Sequence, residues 1–319
     1  MTELVKTKTK FREDSKIHRF YSDGLSYGGD FLKVFPKWYT YIIVCTHSDD
    51  LFGCLEYTKL LTKNDYRVFS CLVYPDGALG VWDSFVYELL GINKQCSLYK
   101  KGIDVSNPGR MLKIKEAIRE DEFHRMFMAA GINSTYNFGF ETRLKNAVFK
   151  EVLSSDGSVY TIFNSHESEF DCLNSQEAGK IKNYVLDAAK KGNTAWLLQN
   201  PNTAKHRQHI HASRAFINSI SRFCPESITF LYSSTPVEAE RTSTLAKGSR
   251  ALMLYLNEER LRENQNIIIQ TAESQNYRHI EREHNFYGVQ YERKTRHYAC
   301  IMYPAMRKGY RHGEYLERV

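Results

Sequence analysis

Apolar and polar positions follow one another along this chain in a strand–helix rhythm. Tyr39–Cys45 (YTYIIVC) is an unbroken apolar run with β-branched members, the pattern of a strand buried on both faces. It stops at Thr46-His47-Ser48-Asp49-Asp50, and Leu51–Thr62 continues with helical periodicity through Leu51, Cys54, Leu55, Thr58 and Leu61. Arg67–Tyr74 (RVFSCLVY) predicts a second strand, closed by a Pro75-Asp76-Gly77 turn. A long loop to about Pro108 follows, of a length that is often functional in a compact domain. Met111–Ala130 predicts a long amphipathic helix capped at Gly131, Tyr136–Phe140 a short strand, and Asn174–Lys191 a helix stopped by Gly192. Thr194–Gln199 (TAWLLQ) then predicts a strand, Asn200–Lys205 a loop, His206–Phe223 a helix and Ser227–Tyr232 (SITFLY) a further strand.

Strands alternating with helices predict an α/β fold: a Rossmann-like, mainly parallel sheet flanked by helices, with a divergent C-terminal region. Three stretches follow from the pattern. Residues 1–38 read as an irregular N-terminal arm, 39–235 as the α/β core, and 236–319 as a C-terminal region completing the domain. In that last region Leu245–Arg262 reads as a helix and Asn266–Gln270 and Tyr298–Met302 as strands, while His279–Gly288 is polar and ambiguous. Open α/β sheets bind ligands at the carboxyl ends of their strands. The polar clusters His47–Asp50 and His206–His211 both follow strands directly, so this topology lets them meet although they are far apart in sequence.

With 319 residues and 42% hydrophobic content, the chain buries a sizeable core. No apolar run reaches the roughly 18 residues of a membrane span, and the polar opening MTELVKTKTKFRED lacks the apolar centre of a secretory signal. Seven scattered cysteines contain no C-x-x-C pair, which argues against a cysteine zinc site or redox motif and for a reducing, cytoplasmic setting. The net charge of +7 favours anionic partners such as phosphorylated sugars, nucleotides or nucleic acid, and equally describes an ordinary solvated basic surface. Lys294–Arg311 is the most basic stretch, with Tyr298, Tyr303 and Tyr310 interleaved as nucleic-acid stacking would need.

His47-Ser48-Asp49-Asp50 places one imidazole and two carboxylates in a single strand-to-helix turn. Ser and Asp there are also ordinary helix caps. The second cluster, His206-Arg207-Gln208-His209-Ile210-His211, shifts the balance, because His206 and His209 share a helical face at the start of another helix. A catalytic zinc takes three ligands from His, Asp or Glu and keeps one position for water, and these two clusters hold the required groups.

The ordered motifs resemble the LmbE-like, or PIG-L-like, zinc deacetylases. An apolar strand ends in His47-Ser48-Asp49-Asp50-Leu51 where that family has His-Pro-Asp-Asp-Glu. Tyr74-Pro75-Asp76-Gly77 is similar to its Thr-Asp-Gly turn, and Arg119 with Glu122, before Ala130-Gly131, to its Arg-x-x-Glu helix. His206-Arg207-Gln208-His209, with Arg214-Ala215 downstream, stands where the family has His-Pro-Asp-His. The resemblance implies that residues 39–235 are the deacetylase core. It implies His47, Asp50 and His209 as ligands of zinc or another divalent ion, Asp49 as general base, and His206 as stabiliser of the substrate oxyanion. Arg119 and Asp76 would face the substrate, an N-acetylated sugar or sugar conjugate. Three departures stand out. Gln208 replaces an Asp beside the catalytic His, Leu51 replaces a Glu, and Ala272-Glu273-Ser274-Gln275 lacks the His of a late His-x-Ser-Gln motif.

Three other readings compete. A nucleotide enzyme would need a glycine-rich turn after the first strand, where THSDDLFG stands instead. A binding protein that has lost catalysis is motivated by the three departures, and a nucleic-acid-associated protein by the basic tail. For Arg119, an ion pair with Glu116 or Glu122 on the helix surface is the plain alternative.

Overall fold

The computed structural model describes residues 16–23, 26–27, 35–75, 108–141, 143–146, 149–153, 159–163, 169–170, 173–201, 207–232, 250–271, 274 and 297–303. Strands β1 (Lys16–Asp23), β2 (Ser26–Tyr27) and β3 (Thr40–Cys45) come first, then a 3-10 turn (Ser48–Gly53) and helix α1 (Leu55–Lys63). Strand β4 (Arg67–Leu72), helix α2 (Pro108–Ala129) and strand β5 (Thr135–Asn137) follow. Two small antiparallel pairings join β6 (Leu144–Asn146) to β9 (Glu169–Phe170) and β7 (Phe149–Leu153) to β8 (Val159–Phe163). The chain continues through α3 (Ser175–Lys190), β10 (Thr194–Gln199), α4 (Arg207–Phe223), β11 (Ile228–Tyr232), β12 (Arg250–Tyr255), α5 (Glu258–Thr271) and β13 (His297–Tyr303).

Nine strands make one sheet in the order β2-β1-β12-β13-β11-β10-β3-β4-β5. Its centre, β11-β10-β3-β4-β5, is parallel throughout, as the strand–helix alternation predicts. β13 enters antiparallel between β11 and β12, and β12 pairs parallel with β1. The strand–helix pattern read from the sequence is corrected at three places. Residues 16–23 are a sheet strand rather than irregular chain. Residues 250–255 are a strand rather than part of a helix. Residues 266–270 are helical rather than extended, because Leu261, Asn264, Ile268 and Thr271 recur every three or four positions and are buried together. The hairpin strands β6–β9 carry no signal recognised in the sequence.

Alternate residues of the central strands face opposite layers. Tyr41, Ile43, Cys45, Leu197 and Phe230 pack against α1, α2 and α5 through Leu55, Tyr57, Phe123, Phe127 and Ile268. Ile42, Val44, Trp196, Leu198 and Leu231 pack against α3 and α4 through Ile181, Val185, Phe216, Ile217 and Ile220. Burial on both faces explains why these strands read as continuous apolar runs. It also fixes the strand ends that carry the site. α2 ends at Gly131 with φ +87, where a Cβ would stand 2.8 Å from Thr62 Oγ1, so the glycine serves both the turn and the close approach to α1. Cys45, Cys54, Cys71 and Cys224 are free and buried, and burial pushes the Cys45 and Cys71 thiols up, as suits small apolar side chains. Among the described residues no helix is long and apolar enough to cross a membrane.

Candidate metal centre

β3 ends at Cys45 at the carboxyl edge of the sheet, and the chain enters the Ser48–Gly53 turn through His47 in an extended conformation. The His47 backbone N–H donates to Asp50 Oδ2 at 2.8 Å. That bond is a helix-start cap, so the capping reading of the acidic turn is correct for one oxygen of Asp50. The other oxygen, Oδ1, lies 3.4 Å from His209 Nε2. Asp50 is therefore locked by one oxygen and offers the second.

β10 lies beside β3 in parallel and leads, by way of Asn200-Pro201, to α4. The first turn of α4 brings Gln208 and His209 over the end of β3. His47 Nδ1 and His209 Nε2 are 2.8 Å apart, with ring centroids at 4.8 Å. One ligand atom from each of His47, Asp50 and His209 lies within 4.8 Å of the others. Asp50 is 6% exposed, and the His209 side chain 15%. Two imidazole nitrogens and one carboxylate oxygen, partly withdrawn from water, fit a divalent ion with an open position. The two remote clusters thus converge, as the topology permits.

Gln208 is 2% exposed, and its Oε1 stands 2.7 Å from His47 Nε2. The sequence reading paired Gln208 with His206, whereas this oxygen meets a candidate ligand. Only the register of α4 over β3 reveals that contact; spacing alone does not. Downstream, burial lowers the His211 pKa, with the charges of Arg214 and Arg207 adding to the effect.

The remaining sequence candidates divide. Asp49 stands in the turn, but its side chain lies outside the described structure, as do His206 and Asp76 altogether. Arg119 is 3% exposed on α2, the helix that packs on the Ser48–Gly53 turn. Arg119 therefore lies inside the fold rather than on the helix surface. Glu122, fully buried one turn on, accepts from Ser274 N–H at 2.6 Å and from the Ser274 hydroxyl at 2.8 Å. The incomplete late motif around Ser274 is thereby anchored to the Arg-x-x-Glu helix. Leu51, in place of the family's Glu, is fully buried among apolar residues and adds no carboxylate to the site.

A second buried polar group lies behind the metal turn. Glu56 on α1 accepts from Arg260 Nε at 2.6 Å and from Arg260 Nη2, and its other oxygen accepts from Asn264 Nδ2 at 2.8 Å. Lys59 Nζ donates to Asn264 Oδ1 at 2.7 Å and pairs with Glu263 Oε2 at 2.9 Å. Nothing in the sequence pattern pointed to this network, because Glu56 and Arg260 are 204 positions apart.

No protein-family model matches the sequence, and no curated protein matches it. Among solved structures the chain is similar to N,N'-diacetylchitobiose deacetylase from Pyrococcus horikoshii at 11% identity, over 86% of this chain and 90% of that one, with a TM-score of 0.44. It is similar to the zinc-inhibited form of a teicoplanin deacetylase at 10% identity, over 85% and 99%, with a TM-score of 0.43. It is similar as well to a conserved protein of Thermus thermophilus at 10% identity, over 82% and 93%, with a TM-score of 0.39. These likenesses concern the course of the chain, and the chemistry of the site rests on its own residues.

Proposed function

We propose that this chain is a metal-dependent N-deacetylase, with zinc held by His47, Asp50 and His209 and an N-acetylated amino sugar or sugar conjugate as substrate. The convergence of those three ligand atoms, brought from two remote stretches of the chain, carries the reading. A bound zinc would polarise an amide carbonyl and bring the pKa of water toward about 7. Asp49 stands in the turn and is assigned the proton of the attacking water. It then returns that proton to the leaving amine. His206 is assigned the hydrogen bond to the developing oxyanion, a donor whose loss typically costs on the order of 100-fold to 1000-fold in rate. Both roles, and the substrate class, come from the motif resemblance. Arg119, buried on the helix that packs on the Ser48–Gly53 turn, is assigned a substrate hydroxyl or anionic group from the same resemblance. The positive charge of the chain accords with an anionic conjugate.

The testing experiment measures zinc content and acetate release from a panel of N-acetylated sugars. His209→Ala is expected to lose zinc, whereas Asp49→Ala keeps zinc and loses turnover. Full activity in Asp49→Ala would refute the base assignment. Zinc binding without acetate release on any substrate would favour a binding protein that has lost catalysis, the reading to which Leu51 lends support.

A further inference from the structure

We infer that Gln208 is the positioning residue of the metal centre: its side-chain oxygen takes the Nε2 proton of His47 and so turns the Nδ1 lone pair toward Asp50 and His209. This inference rests on the reading of the triad as an ion site. A carbonyl oxygen only accepts, so the 2.7 Å contact requires the proton on Nε2. A neutral imidazole has one N–H, and Nδ1 is then left as the acceptor, 2.8 Å from His209 Nε2. With Nδ1 protonated instead, His47 would present a hydrogen to the ion and contribute no ligand. Gln208 is 2% exposed, so water does not readily stand in for it. It precedes His209 in the first turn of α4, so one turn of one helix supplies a ligand and also orients the ligand from β3. The arrangement binds the two halves of the centre into a unit, because moving α4 disturbs both imidazoles together.

The oxygen belongs to a neutral amide, so Asp50 brings the only formal negative charge among His47, Asp50, Gln208 and His209. A carboxylate at position 208 would accept the same proton and make His47 a stronger donor. The amide keeps the orientation and leaves the ion more electron-poor.

The test titrates metal-stripped full-length protein with Zn2+ against a chromophoric chelator, for wild type, Gln208→Ala, Gln208→Glu and His209→Ala. Ion-free melting and 15N-detected tautomer patterns of His47 are recorded alongside. Gln208→Ala is expected to lose about 10-fold to 100-fold in zinc affinity, the usual cost of losing such an outer partner, with its ion-free melting little changed. Gln208→Glu is expected to bind as tightly as wild type or more so, and the ion-free wild type to show the Nε2–H pattern. Equal affinity in Gln208→Ala and wild type overturns the inference, as does weaker binding by Gln208→Glu. An Nδ1–H pattern in the wild type overturns it even if Gln208→Ala does not fold. If the wild type takes up no zinc, the ion-site reading itself falls, a result distinct from all of these.

Discussion

Replacing Glu56 by Ala tests how α5 is held against α1 behind the Ser48–Gly53 turn. Glu56, Arg260 and Asn264 are fully buried, and both carboxylate oxygens of Glu56 are occupied. Removing the carboxylate leaves the Arg260 guanidinium in a dry interior without its counter-charge. It also strips Lys59 of one of the two acids that partly offset burial, which lowers its pKa even with both present. Breaking one side of a buried pair costs about 3–5 kcal/mol. With a urea slope of about 3 kcal/mol/M for a chain of this size, the unfolding midpoint should fall by roughly 1–1.7 M, read by far-ultraviolet circular dichroism. The double substitution of Glu56→Leu with Arg260→Met removes both charges and fills the space, so it should recover most of that loss. Lys59 and Glu263 remain paired in it, and Asn264 keeps its bond to Lys59. A Glu56→Ala loss below about 1 kcal/mol, the range of an exposed pair, would refute the buried network. So would a double variant no more stable than the single one.

Glu177 closes the capping box of α3 with Asn174 and receives two hydrogen bonds from Arg143, at 2.6 and 2.8 Å. Burial alone would raise its pKa, but the Arg143 and Asn174 hydrogen bonds outweigh burial and hold it below the ordinary value of 4.5. Its contribution to stability is therefore complete above pH 4.5 and fades as the pH falls through the lower folded value, so the stability gap between wild type and Glu177→Gln, from urea midpoints, should narrow from pH 7 to pH 3.5. Asp50→Asn retains an oxygen for the His47 N–H but loses the charge, so zinc per chain should fall sharply while ion-free melting stays near that of wild type. A chain cut to residues 39–235 should be recovered mainly as aggregate by size-exclusion chromatography, since β11 loses its partner β13 and Glu56 and Glu122 lose theirs.

The fold was legible where local pattern and tertiary burial agree. β3, β10 and β11 are buried on both faces, so their apolar runs stand out, and Gly131 and Gly192 mark helix ends because both positions take a positive φ. β1 was not legible: KIHRFYSD mixes Lys16, Arg19 and Asp23 with its apolar residues, and only its pairing with β12 makes it a strand. Leu245–Arg262 misleads because Leu, Met and Tyr of β12 also recur at helical spacing before the true helix starts at Glu258. At the site, the meeting of His47, Asp50 and His209 was legible because each residue type has metal chemistry of its own. Gln208 was legible as a departure from a family motif, but not as a partner of His47. An amide gains its role only from what it faces, and the partner lies 161 positions away.

The same contrast holds for the contacts that late-chain residues make behind the Ser48–Gly53 turn. Arg260 and Asn264 grip α1 in the turn that follows the Ser48–Gly53 segment, and Ser274 grips Glu122 one helical turn beyond Arg119. Each contact is a buried carboxylate met by donors from late in the chain, and such a carboxylate tolerates neither loss nor displacement of its partner. The Ser48–Gly53 segment, through α1, and α2 are thus tied to α5 and Ser274 as well as to the sheet.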